Sequence, residues 1–348
     1  MRVSRFYKII PFVIAFALAI LAYYFYPVGG NYDLSKYYHL MDMIKINDVE
    51  SIIYIKNYFE ILFRIYMYIV AFIGNYRLFQ FFPVFIFYLI LFYIIFDYGK
   101  SKEYSKFHIL LVSLVCITLF RFVLIASTIR YALAYIIFVL ALYLDLVKKC
   151  KSNWIKILYI LPFFIHKTSI ILLLFRLLIE IKNKKIIYFI FALFIFAFFF
   201  PELIISILVP FKNIKIVELL INMVYGYLIE ESIPIYMQLI FRLFQTLFLV
   251  LGGLFCYRQI EDAQIKKYYF MTILIGIFTI CLFKYFTLFM RMIDLLVFMS
   301  PVVVFETLNT FSNNKKLKKF YPCLLLFWGL MIGCGIYIQV LDFKEMFF

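Results

Sequence analysis

The sequence predicts an all-α, polytopic membrane protein with about 9 to 11 transmembrane helices, some of them re-entrant or broken. Three observations carry this prediction. Of the 348 residues 67% are hydrophobic and the mean hydropathy is +1.01, more apolar surface than a soluble core of this length can hide. Runs of about 20 apolar residues recur along the whole chain, without the alternating pattern of an outer-membrane barrel. The basic residues behind the net charge of +16 sit in short loops between these runs. That is the positive-inside signature of cytoplasmic loops and not the footprint of a nucleic-acid partner. The chain reads as one integral membrane domain over 1–348, with external loops at about 27–58 and 209–234.

In chain order, Arg2, Arg5 and Lys8 precede an apolar run over 9–26 that has no small-residue cleavage site, which reads as an uncleaved first helix starting inside. A mixed polar stretch, 31–56, then lies outside. The apolar segment 59–73 carries Glu60 and Arg64 at i and i+4, near enough to pair. Parity places this segment in the interface or as a re-entrant element. The span 79–96 is followed by Lys100, Lys102 and Lys106, which one extra crossing would put outside. Residues 108–147 are too long for one helix and read as two spans joined by an outer turn between Arg121 and Arg130. Residues 154–181 have basic residues at both ends and His166 in the middle. Either two half-length helices fold back to the cytoplasmic side, or a broken helix crosses. Residues 186–207, 235–257, 268–286, 287–308 and 321–340 complete the spans. Their inner ends are marked by Arg258, Lys266 and Lys267 and by Lys315, Lys316, Lys318 and Lys319.

Against this background the polar exceptions carry the chemistry. His166 and Lys167 lie in the middle of an apolar run, where an ionisable side chain costs about 2.5–3.5 kcal/mol on insertion scales and is retained mainly when it faces a polar cavity. Three roles fit His166: a general base, a donor to an oxyanion or phosphate, or a core histidine bonded to Thr168, Ser169 or a backbone carbonyl. Arg121, Arg130, Arg242, Lys284 and Arg291 break the positive-inside pattern by falling within spans or near their outer ends. Guanidinium forks bind phosphate oxygens bidentately and stay charged when partly desolvated, so together these residues point to a pyrophosphate or other anionic headgroup. Taken singly, each can instead snorkel or pair with a nearby acid, as Arg291 with Asp294 or Arg64 with Glu60. Asp33 and Glu60 are the outer acids available as a base.

No metal site or cofactor is indicated. The other histidines, His39 and His108, lie in different regions, no DxD pair occurs, and the six cysteines form no CxxC. Most of the 30 Tyr and 46 Phe fit aromatic belts and core filling. Gly329 and Gly333, spaced as GxxxG, suggest a close helix contact.

The order of these features, Gly30-Asn-Tyr-Asp33 after the first helix, Glu60 opening the next segment, Ser127-Thr-Ile-Arg130, His166-Lys-Thr-Ser169, and Arg291 in a late span, resembles the EpsG-like, Wzy-type polysaccharide polymerases. The resemblance covers about residues 1–340. It implies a multi-helical fold of the C-type glycosyltransferase class, embedded as a multi-pass protein in the bacterial inner membrane. The expected activity is polymerisation of O-antigen, capsule or exopolysaccharide repeat units without a metal. A growing glycan would pass from undecaprenyl pyrophosphate to the terminal sugar hydroxyl of a lipid-linked unit. Expected partners are the undecaprenyl-pyrophosphate-linked oligosaccharide, membrane lipid and a chain-length regulator protein. The catalytic candidates are His166, Asp33 and Glu60; the substrate-binding candidates are Arg121, Arg130, Lys167, Arg242, Lys284 and Arg291. If the half-helices enter from the cytoplasmic side, the HKTS tip forms the floor of an outer-facing cleft near Arg130 and Arg291. An O-antigen ligase or a lipid-linked oligosaccharide flippase are the alternatives.

Overall fold

The computed structural model describes residues 2–24, 33–47, 60–181, 200–214, 236–283 and 285–347, with scattered positions between 183 and 221. Among the described residues 86% are helical and none is in a strand. The helices are α1 (Arg2–Tyr24), α2 (Asp33–Asn47), α3 (Ile61–Ile73), α4 (Leu78–Ser101), α5 (Lys106–Leu119), α6 (Phe122–Ser127), α7 (Ile129–Leu142), α8 (Trp154–Ile165), α9 (Ile170–Leu178), α10 (Pro201–Leu208), α11 (Tyr236–Tyr257), α12 (Ala263–Cys281), α13 (Phe286–Asn313) and α14 (Tyr321–Phe347). Five stretches among the described residues are long and apolar enough to cross a membrane: Leu78–Ser101, Ile129–Val147, Leu239–Tyr257, Leu288–Asn313 and Lys318–Phe343. Four shorter apolar helices accompany them. One is α3, whose 13 residues give about 20 Å at 1.5 Å per residue, short of a hydrocarbon core of about 30 Å. Much of the external stretches 27–58 and 209–234 lies outside the described residues, as do many positions of the span 186–207.

The chain divides into two compact units, Met1–Leu173 with Val297–Phe348, and Leu174–Leu296. In the first unit α1 packs along α4. Ala15, Ala19 and Ala22, fully buried at helical spacing, make a smooth face on α1, while Phe12 and Phe16 meet Phe85 edge-on at 5.4 and 6.3 Å. Gln80, fully buried on α4, accepts from the Tyr38 hydroxyl at 2.9 Å and donates to the Ala22 carbonyl, tying α2, α4 and α1 together. In α13, residues 297–305 are all buried. Phe298 packs on Phe87 of α4 and Phe120 after α5 at 4.8 and 5.1 Å, and Glu306 accepts from Tyr98 and Tyr104. Gly99 on α4 lies so close to Ile109 that a Cβ there would overlap it, and would crowd Phe305 as well.

The expected outer turn between Arg121 and Arg130 contains the short helix α6, flanked by breaks at Phe120–Arg121 and Thr128. The expected break at His166 is present. Its backbone is extended (φ −146, ψ 113), α8 ends just before it, and a 3-10 turn over Lys167–Ser169 leads into α9. Gly329 and Gly333 do not serve the close contact expected of them, since nothing lies within 4 Å of a Cβ built on either. That role falls to Gly335, whose Cβ would strike the Thr118 backbone.

In the second unit α11 packs on α12, with Gly276 set against Val250. The Asp262 carboxylate caps α12 by accepting from the Gln264 and Ile265 amides at 3.0 and 3.4 Å. Glu180, just after α9, accepts from Arg176 and Lys267 at 2.6 Å each.

Candidate active site

The first unit gathers three of the ionisable residues singled out in the sequence. Glu60 stands immediately before α3, its backbone carbonyl holding the Arg64 amide at 3.1 Å, and it is 4% exposed. Its Oε2 accepts from Arg130 Nη1 at 2.5 Å. Its Oε1 lies 3.3 Å from His166 Nδ1 and 3.4 Å from the Lys167 amide. Two elements far apart in sequence therefore converge on one carboxylate.

Local structure explains how each is presented. The Thr128 hydroxyl turns back to the Leu124 carbonyl at 2.5 Å, and α7 starts afresh at Ile129, which puts Arg130 in its first turn. The Arg130 guanidinium lies over the Tyr37 and Phe63 rings at 5.1 and 5.6 Å from their centroids, and these rings pack edge-on at 5.3 Å. Such a cage holds a cation by its ring faces while leaving hydrogen-bonding edges for anions. At the helix break the Ser169 amide and hydroxyl both donate to the His166 carbonyl, at 3.0 and 2.8 Å, which keeps α9 from continuing α8 and aims the imidazole at Glu60. Tyr135, one helical turn beyond Tyr131 on α7, packs near the imidazole at 6.5 Å.

The chemistry follows from the partners. A carboxylate in an apolar setting is retained only when paired, and Arg130 supplies the opposite charge. An imidazole whose Nδ1–H faces a carboxylate is fixed in orientation and tautomer, and its Nε2 is the nitrogen that can take a proton. A base, a fixed cation and a helix break sit together.

The EpsG family model matches residues 8–340, nearly the whole chain. The chain belongs to the EpsG family. EpsG-like proteins are Wzy-type polymerases, so this is a membrane protein of the polysaccharide polymerase type, with the glycosyltransferase-type activity that this implies. No curated protein and no solved structure matches it.

Within this EpsG-family chain the remaining candidates fall into different surroundings. Asp33 opens α2, one turn before Tyr37, is about one-third exposed, lies 3.9 Å from Lys36 and is near enough to act electrostatically on Arg130. Lys167 contributes its backbone amide to Glu60. Arg121 is held by Asp342 through two hydrogen bonds, from Nε at 2.8 Å and Nη2 at 2.6 Å. In the second unit Arg242 is 2% exposed, donates to Gln245 at 3.0 Å and lies 3.4 Å from Asp294. Arg291, half-buried, is on α13 in that same unit. Lys284 lies outside the described residues. Sequence reasoning missed Tyr37 and Phe63 as the walls around Arg130. The available signal was helical spacing, Tyr37 four residues after Asp33 and Phe63 three after Glu60.

Proposed function

We propose that this EpsG-family chain is a repeat-unit polymerase at the outer face of the bacterial inner membrane, transferring a growing glycan from undecaprenyl pyrophosphate to the terminal hydroxyl of an incoming lipid-linked unit. The observation that carries this reading is the Glu60 carboxylate shared between Arg130 and His166 at a helix break. In the proposed step the acceptor hydroxyl oxygen bonds to the donor's anomeric carbon while the bond from that carbon to the pyrophosphate oxygen breaks. His166 Nε2 takes the hydroxyl proton, with Glu60 steadying the imidazolium through Nδ1–H. The undecaprenyl pyrophosphate leaves with the bonding electron pair. Arg130 and Lys167 offer positive charge against the negative charge it gains, and a fixed donor of the Arg130 kind contributes about 10²–10³ in rate. Asp33, at the start of α2, is suited to orienting the acceptor sugar.

The transfer is taken to need no metal, because protein cations supply the leaving-group stabilisation. Elongation of lipid-linked repeat units by the reconstituted protein should therefore be unchanged by EDTA, and loss that Mg²⁺ or Mn²⁺ restores would overturn this part. Arg130→Ala and His166→Ala should each abolish long-chain polymer, seen as a collapsed ladder on a glycan gel, while the protein still inserts. Normal chain lengths in both would sink the assignment. Cells lacking the protein should carry single-repeat glycolipid. Loss of all attached glycan would instead indicate a ligase, and lipid-linked units retained on the inner leaflet a flippase.

A further inference from the structure

Arg121, one of the arginines expected to meet substrate, is committed elsewhere, and its surroundings describe a device. The last C=O groups of a helix have no intrahelical partner, and in a membrane interior they must find one. At the end of α5 these groups find a side chain of α14. Gln339 Nε2 lies 2.8 Å from the Ile117 carbonyl, 3.2 Å from that of Thr118 and 3.0 Å from that of Phe120. One turn further along α14, the Asp342 carboxylate, 3% exposed, takes the Arg121 fork at 2.8 and 2.6 Å. Phe343 stacks on Phe122 at 5.9 Å and 17°. Gly335 allows the approach, since a Cβ there would lie 2.5 Å from the Thr118 carbonyl oxygen. Residues 335, 339, 342 and 343 follow the i, i+4, i+7, i+8 spacing of one helix face. That face grips the corner from which α6 departs.

Only the six residues of α6 and Thr128 separate this corner from α7, and Arg130 is in the first turn of α7. Phe122, Val123, Ile125, Ala126 and Ser127 are all buried, so α6 is a packed strut rather than a slack linker. A shift at the corner is thereby passed to Arg130. We infer that Arg121, Gln339 and Asp342 are positioning residues: α14 fixes the α5–α6 corner and, through it, sets Arg130 against Glu60. This inference rests on the polymerase reading for its catalytic half and on geometry alone for its structural half.

The test compares the wild type with Gln339→Leu, Asp342→Asn and the charge swap R121D/D342R in proteoliposomes. The acceptor and donor are the lipid-linked repeat unit extracted from cells lacking the polymerase. Asp342→Asn and Gln339→Leu should lower kcat by up to about a hundredfold, the scale of a misplacement of about 1 Å, with KM within about threefold. The swap should recover at least about tenfold of the loss relative to Asp342→Asn, because it restores the pair at the corner. Hydrogen exchange over residues 118–131 should speed up in both single variants and slow again in the swap. A rise in KM with kcat kept, and no recovery in the swap, would make Arg121 a substrate contact. Unchanged kcat in correctly inserted variants would also overturn the inference. A wild-type protein that leaves the unit unextended sinks the polymerase reading and the catalytic half with it, while the exchange comparison still decides whether α14 holds the corner.

Discussion

At the scale of single residues, Glu60 is held from three sides, since a guanidinium, an imidazole and a backbone amide all address its two oxygens. Glu60→Gln keeps the volume and removes the charge. It should lower polymerisation about 10²- to 10⁴-fold, the range of a general-base contribution, because the amide no longer fixes the imidazole proton on Nδ1. Chain-length profiles at equal protein level check this, and a wild-type profile would remove Glu60 from the mechanism. Tyr37→Leu keeps an apolar wall but loses the ring face over Arg130. It should cost about 0.5–2 kcal/mol in the placement of that cation, and a Tyr37→Phe variant should retain most of it. A melting series in detergent with elongation rates separates the two variants.

At the scale of elements, the pairing of α11 with α12 depends on one position without a side chain. A Cβ at Gly276 would overlap Val250, whose branched side chain has little rotamer freedom with which to yield. Gly276→Ala should destabilise the protein by about 1–3 kcal/mol, and Val250→Ala in the same chain should recover part of this loss, read as the shift in thermal midpoint. Just past the end of α9, where the chain reaches the basic loop, the Glu180 carboxyl is pushed up by partial burial, but hydrogen bonds from Lys267 and Arg176 outweigh that and leave it below its ordinary value of 4.5. A depressed carboxyl contributes stability that is complete above its unfolded value and is lost as the pH falls through the folded one. The midpoint difference between wild type and Glu180→Gln should therefore be constant at neutral pH and shrink below about pH 4.5. A difference that grows with acidity would contradict the pairing.

At the scale of the whole molecule, the basic loops set an orientation that can be measured. In a chain whose six native cysteines are replaced, Lys100→Cys, exposed at the end of α4, should react with an impermeant maleimide only from the cytoplasmic side. Labelling from outside would invert the topology. What the sequence by itself determined is the helical, membrane-embedded class and the place of most described helices, but not α2, which lies in the stretch read as a polar external loop, nor α6, which lies in the stretch read as a turn. Hydropathy, caps and loop charge act over tens of residues, and a bilayer rewards each apolar run separately. The break at His166 and the family were legible too, because motifs and an ionisable pair inside an apolar run are local signals. The partners were not. Glu60 meets Arg130 across 70 positions and Arg121 meets Asp342 across 221, and nothing local says which acid each arginine pairs with. Only the tertiary structure decided that Arg130 shares a carboxylate with His166 while Arg121 pairs with Asp342, because charge pairing in a low-dielectric interior depends on which helices touch, and the packing of distant segments sets that.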